Sequence, residues 1–481
     1  MFQKGTEMKE ESRKFQTRRD FLQSAALAGT TLILSPMISA DQDSNETQDD
    51  INVALIGAGS QGQVLLNACR NIPGIRFKAL CDIWENYNRK RTARIFKAYG
   101  HEVNQYEDYK QMLAEEKDLD AAIIATPDFC HAEQTIACLK AGLHVYCESE
   151  MSNTIEDAKK MVQAAKQTGK LLQIGRQRRS NPRYLHCYEK LIKEYELFGQ
   201  FKAINGQWNR TIYNSLGWPE GYSISLEKLN KYGYKSMEQF RNWKWYKGLG
   251  SGPVVDLGSH QFDVYNWFLE ATPKAITANG RINFHKKYGY EWYDTIMILC
   301  EYETSNGSVS AFYQVLPYDV NFRTYEKFIG NQGTFWISEY NSRDMIYPER
   351  IGVNSSNWIK CINEGQLTAS EETLKEIARR PESFEIIFIV DETPLPIQKN
   401  DKKEEFLPVV REKPSLHLPV TMSGKPYHQP HLENFFDTIR GKAQLNCPAE
   451  VGYKTAVTVL KINEAIETGK KLQFKPEDFV V

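Results

Sequence analysis

An almost wholly apolar hexapeptide, Ile51-Asn52-Val53-Ala54-Leu55-Ile56, runs without a linker into Gly57-Ala58-Gly59-Ser60-Gln61-Gly62. No other stretch of the 481 residues constrains the fold as tightly. A run that is apolar at successive positions suits a strand covered on both faces. The residues that follow, Gln63 to Asn71, read as a helix, and a second β-rich run, Phe77 to Cys81, ends at Asp82. Three glycines between a strand and a helix, with an acid closing the next strand, form a dinucleotide-binding fingerprint. Gly57 permits a tight turn, Gly59 lets the backbone approach a pyrophosphate, and Gly62 lets helix and strand pack closely. Ser60 and Gln61 open the helix, where unpaired N–H groups and the positive dipole end face the phosphates. Asp82 is placed to accept the adenosine ribose hydroxyls and would repel a 2′-phosphate, so NAD is expected. Arg89 and Lys90 nearby leave NADP open as an alternative.

The alternation continues. Tyr106 to Glu116 reads as a helix, Asp120 to Pro127 as a buried strand, and Phe129 to Ala141 as a helix closed by Gly142. His144 to Glu148 is again a strand, Thr154 to Thr168 a helix stopped by Gly169, and Leu171 to Ile174 one more strand. Repeated strand–helix units predict an α/β fold with a parallel, doubly wound sheet. Ligands sit at the carboxyl ends of such strands, which makes Thr126, Pro127 and Glu148 site candidates. Lys and Arg total 60 against 61 Asp and Glu, so no basic excess points to nucleic acid. Nine cysteines show neither a C-x-x-C pair nor metal-ligand spacing, and several lie within apolar runs. They read as reduced core residues, and no metal site is expected.

Residues 17–23 read Thr-Arg-Arg-Asp-Phe-Leu-Gln, followed by a weakly apolar stretch that ends Ile38-Ser39-Ala40. This is the pattern of a bacterial twin-arginine signal. The stretch is too short and interrupted to span a bilayer. The expectation is export to the periplasm in folded form, with no membrane insertion once the signal is removed. The chain then divides into a signal at 1–40, an acidic linker at 41–50, a nucleotide domain at 51–175 and a second domain at 176–475.

Six stretches resemble the glucose–fructose oxidoreductase / inositol dehydrogenase / MocA (Gfo/Idh/MocA) family. They are the glycine turn 57–62, Ala125-Thr126-Pro127-Asp128 with His131, Gly142 to Glu148, Gln173 to Arg179, Gly252 to Asp263, and Cys447 to Gly452 with the helix-like Tyr453 to Thr468. The resemblance implies a Rossmann domain followed by an α+β domain with an open, mostly antiparallel sheet, often an oligomer interface. It implies oxidation or reduction of a carbinol of a sugar or cyclitol. It adds His131 to the cofactor site and Gln177 and Arg178 to the substrate site.

Asp256 and His260 stand at i, i+4 and share one face if Val255 to Phe268 is helical. A carboxylate beside an imidazole favours its protonated form, which suits a base that takes a hydroxyl proton. Spacing alone favours a satisfied histidine capped by Asp256, whereas the resemblance places catalytic residues at both positions. Arg178 reads either as a donor fork for vicinal hydroxyls or as a solvated charge among Arg176 and Arg179. Trp245 reads either as a sugar platform or as core. The chain departs from the family at Glu148-Ser149-Glu150, where relatives carry a lysine at the position of Ser149. Lys244 or Lys247, in the aromatic run around Trp243 and Trp245, is expected to substitute. Residues 281–340 alternate as one-faced antiparallel strands do, and 341–430 reads as a polar, proline-punctuated excursion. The function these readings predict is an exported oxidoreductase that retains its NAD, acts on a small carbohydrate, and self-associates through the second domain's sheet. The alternative is a glycoside hydrolase working by transient oxidation and elimination.

Overall fold

A computed structural model describes residues 50–210, 215–317, 324–340, 343–349, 355–371, 374–375 and 416–481. The signal-like residues 1–40 lie outside them. Strand β1 (Ile51–Ile56) is apolar except at Asn52 because both its faces are buried: Ile51, Val53 and Leu55 enter one core, Ala54 and Ile56 another. Beside it run β2 (Ile75–Cys81), β3 (Asn104–Tyr106), β4 (Ala121–Ile124), β5 (His144–Cys147) and β6 (Leu172–Ile174), all parallel in the order β3-β2-β1-β4-β5-β6. This is the doubly wound dinucleotide order, whose strand reversal between β1 and β4 opens a crevice at the carboxyl ends. Helices α1 (Ser60–Cys69), α2 (Asp128–Lys140) and α3 (Ile155–Thr168) connect the strands. The Thr154 hydroxyl caps α3 by accepting the Asp157 N–H at 3.1 Å, and Gly169 stops it at φ +67. The helix expected from Tyr106 to Glu116 is shorter, Tyr109–Glu115, and Tyr106 instead ends the edge strand β3.

The second sheet has eight strands in the order β13-β12-β11-β7-β10-β9-β8-β14. They are β7 (Phe201–Trp208), β8 (Pro273–Arg281), β9 (Thr295–Thr304), β10 (Gly307–Val315), β11 (Thr324–Gly330), β12 (Gly333–Ile337), β13 (Met345–Pro348) and β14 (Leu472–Gln473). All pairs are antiparallel except β7 with β10. In β9, Ile296, Ile298, Cys300 and Tyr302 are buried while Met297 and Leu299 face outward, the period-two pattern of a sheet covered on one side.

The continuous helix expected from Val255 to Phe268 is two helices, α4 (Pro253–Asp256) and α5 (Gly258–Leu269), with Leu257 between them. Residues 341–430 are not wholly an excursion: β13 joins the sheet and Leu416 bridges Ile346. Residues 376–415 lie outside the described set. Helix α6 (Gln429–Ile439) returns to the first domain, burying Leu432, Phe435 and Phe436 in the core that holds Ile51 and Val53. Helix α7 (Ala449–Thr468) packs against both α3 and β8. All nine cysteines are free, eight of them buried. Among the described residues no helix is long and apolar enough to cross a membrane.

Residues 216–249 form a cap that lines the cleft and carries the short helices Leu226–Lys231 and Met237–Arg241. It packs on Trp84, at the carboxyl side of β2, through Ile224, Leu229, Tyr234, Met237 and Leu249. The Trp84 indole N–H donates to Tyr222 O at 2.6 Å, and Lys228 pairs with Glu107 at 2.6 Å.

Candidate active site

The turn after β1 is shaped by what its glycines lack. Gly57 has φ +96, and a Cβ there would lie 2.6 Å from the Ala125 carbonyl carbon. A Cβ on Gly62 would lie 2.0 Å from Gly57 O, so α1 and the turn are in backbone contact. A Cβ on Gly59 would meet only Asn88 Nδ2, at 3.9 Å, so this flank is open to a ligand. One packed side and one open side above a helix N-terminus fit a pyrophosphate. Gly57→Ala adds left-handed strain of ~1–2 kcal/mol to this overlap. It is expected to weaken dinucleotide affinity at least about tenfold by calorimetry.

Asp82 lines the same cleft and also fastens it: Oδ2 accepts the Ala58 N–H at 2.8 Å and Oδ1 the Trp84 N–H at 2.7 Å. Burial raises its pKa, and these N–H groups pull it back. The two cations that left NADP open are engaged elsewhere. Arg89 donates to Asp82 O at 3.1 Å and pairs with Glu85, as does Lys90 at 3.2 Å.

A cavity of 1170 Å³ runs from Gly57, Gly59, Ser60 and Gln61 past Thr126, Pro127 and Glu148 to Ser149, Gln177, Lys244, Trp245, Asp256 and His260. Glu148 accepts from Gln61 Nε2 at 3.1 Å and from the Ser149 N–H at 3.0 Å, tying the glycine turn to the end of β5. The Thr126 hydroxyl donates to Gln134 at 2.6 Å, and Gln177 donates to Glu339 at 3.1 Å. Trp245 stacks on Tyr290, centroids 5.5 Å apart, so it is both cavity wall and packed ring.

Three expected site residues stand elsewhere. His131 is buried behind the cavity, with Nδ1 2.7 Å from Glu150 O and Nε2 2.6 Å from Thr126 O; it ties two loops together. Gly62 touches backbone, not the cavity. Arg178 is neither a donor fork in the substrate site nor a solvated charge. It is buried against Glu326, with Glu339 at 3.3 Å and the Trp208 ring 5.3 Å from its guanidinium carbon. Its neighbours behave alike: Arg176 meets Glu150 at 2.6 Å and Arg179 meets Asp263 at 2.8 Å.

Asp256 and His260 face one cavity but are not partners. Asp256 Oδ2 takes the Lys244 ammonium at 3.0 Å. The nearest polar group to His260 Nε2 is the Ser149 hydroxyl, at 3.5 Å. The expected push toward imidazolium is therefore reversed: burial first, then Arg176 and Arg178, holds the His260 pKa well below the ordinary imidazole range. Of the two candidate lysines, Lys244 lines the cavity, while Lys247 pairs with Glu467 at the surface. Gly250 makes room for it, since a Cβ there would lie 2.4 Å from Lys244 Cα.

Asp128, quoted in the sequence only as part of a motif, opens α2 inside this cavity. Burial, with Asp256 and Glu150 nearby, raises its pKa well above the carboxylate range. Its position at the first helical residue after β4 was the available signal. Arg241 and His428 also reach the cavity, from segments whose composition carries no such signal.

Fold and cavity together define a two-domain protein in which the glycine turn and the side chains of Lys244, Asp256 and His260 share one cleft. Residues 51–176 match the NAD-binding Rossmann domain of the Gfo/Idh/MocA oxidoreductase family, and residues 227–335 match its C-terminal domain. The two family models thus match successive stretches of the chain, in the order of that family's domains. It is 28% identical over 176 residues to a 4-carboxy-2-hydroxymuconate-6-semialdehyde dehydrogenase of Sphingobium sp., covering 37% of this chain and 54% of that protein. It is 28% identical over 238 residues to an NADP(+) scyllo-inositol 2-dehydrogenase of Bacillus subtilis, covering 48% and 55%. The chain spans about half the length of these two curated relatives. Its fold is similar to that of an aldose-aldose oxidoreductase from Caulobacter crescentus, with TM-score 0.61 and 14% identity over 88% of this chain and 100% of that one.

Proposed function

We propose that this chain is an NAD-dependent oxidoreductase acting on a carbinol of a sugar or polyol. The observation that carries the reading is the single cavity joining the glycine turn to His260 and the Lys244–Asp256 pair. Gly57, Gly59, Ser60, Gln61 and Asp82 would hold the dinucleotide, which supplies a two-electron acceptor when bound. His260 Nε2, neutral at physiological pH, accepts the carbinol proton, with the Ser149 hydroxyl 3.5 Å away as the next station. The Lys244 ammonium donates to the same oxygen, and Asp256 fixes its direction. Trp208, Trp243, Trp245 and Tyr290 offer aromatic faces to the C–H side of a ring.

The relatives' names support this class, since two of them are an inositol and a semialdehyde dehydrogenase. They do not favour the hydrolase alternative. Export by the twin-arginine route belongs to this reading and rests on Arg18-Arg19 and the stretch that follows. A retained nucleotide follows from it, because the cofactor would be seated before export. Self-association through the second sheet is supported by its outward-facing Met297 and Leu299.

The test is direct. The purified chain, given NAD and a panel of inositols, aldoses and alkyl glycosides, is expected to yield a keto product or reduced nicotinamide. Free sugar with unchanged cofactor and no keto product would instead indicate hydrolysis, and a chain with no affinity for NAD would remove the reading.

A further inference from the structure

Arg241 is the one element of the cap that faces both the main cavity and a second cavity of 590 Å³ beyond the glycine turn. The two cavities also share His428, Ser60 at the start of α1, and Asn88, which donates to Asp82 at 3.3 Å. The guanidinium is fixed at one edge and one face: Nε donates to Gly217 O at 3.1 Å, and its carbon lies 5.2 Å from the Trp84 ring centre. No described carboxylate lies within ion-pair distance of it, and no described residue accepts from its terminal nitrogens. Arg176, Arg178, Arg179 and Arg183, by contrast, each meet an acid. Burial accordingly pulls the Arg241 pKa down, with the Tyr87 hydroxyl but no carboxylate acting against it. A half-buried guanidinium without an anion, held rigidly beside a helix N-terminus, is a preorganised site for one.

We propose that Arg241 is a ligand to the diphosphate of the bound dinucleotide, contributed across the cleft by the cap; this rests on the NAD reading above. The cap then acts as the second jaw of the cofactor site. Arg241 lies three residues before Lys244 on the same stretch, so nucleotide occupancy and placement of Lys244 are physically linked.

The experiment compares Arg241→Met with the parent chain, both stripped of nucleotide by charcoal, in calorimetric titrations with ADP and with adenosine. Loss of one charge-assisted contact to phosphate is expected to weaken ADP about 10- to 100-fold. Adenosine affinity is expected to stay within about twofold, which also shows that the variant is folded. Arg241→Lys, which keeps the charge without the fork, is expected to fall between. Equal weakening of both ligands would make Arg241 a prop for the cap, and no weakening of either would make it a bystander; both overturn the proposal. A parent chain that binds ADP but not NAD would strike the functional reading and leave the phosphate contact standing.

Discussion

Lys244→Met is expected to lower turnover by about 10² to 10⁴, the span that one positioned proton-handling group commands. Dinucleotide affinity should fall much less, since the glycine turn and Asp82, not Lys244, would hold the nucleotide. Single-turnover kinetics and calorimetry separate these quantities. Such a loss would show substitution in space: Ser149 stands where the family resemblance implies a lysine, and it faces His260 with no charge to offer. The Lys244 ammonium comes to the same cavity from the cap and is held there by Asp256. A double variant, Lys244→Met with Ser149→Lys, should therefore recover part of the lost turnover. If Lys244→Met alone turns over at the parent rate, the assignment fails. Gly250→Ala should reproduce a weaker form of the same defect by displacing the Lys244 backbone.

The largest stability effect is expected at Arg178. Its guanidinium neutralises Glu326 and Glu339, and the Tyr184 hydroxyl adds a 2.7 Å hydrogen bond to Glu326. Arg178→Met leaves a buried carboxylate uncompensated, at a cost of about 3–5 kcal/mol. The pH dependence follows from sign. Burial already raises the Glu326 pKa, and removing Arg178 raises it further. A carboxyl with a raised folded-state pKa favours the folded state when protonated, below its unfolded pKa, and loses that advantage as pH rises through the folded value. The variant should thus lose most stability at neutral pH and recover part of it on mild acidification, read as urea midpoints. A midpoint that is low but insensitive to pH would point to lost packing instead.

These two sites mark the boundary of what the sequence discloses. The glycine turn, Asp82 and the carboxyl ends of β4 and β5 were legible because each depends on residues a few positions apart. An almost wholly apolar strand also implied a sheet with two covered faces, as the split burial of β1 confirms. By contrast, the 3₁₀ turn Gln177–Ser180 sends neighbouring arginines to acids far away along the chain. Glu326 is 148 residues from Arg178, and nothing local announces it. The i, i+4 spacing of Asp256 and His260 predicted a shared face, but the break at Leu257 and the arrival of Lys244 gave the carboxylate another partner. Strand β3 escaped notice because its residues, Asn104-Gln105-Tyr106, lack the apolar run of a central strand.

The return of α6 to the first domain has a consequence for biosynthesis. Leu432, Phe435 and Phe436 fill a core begun nearly four hundred residues earlier by Ile51 and Val53. While the ribosome is still translating the intervening sheet, that core has an open apolar wall. The nucleotide domain therefore closes only after residues 429–439 have been made, and a nascent chain halted before residue 429 should be a client for chaperones.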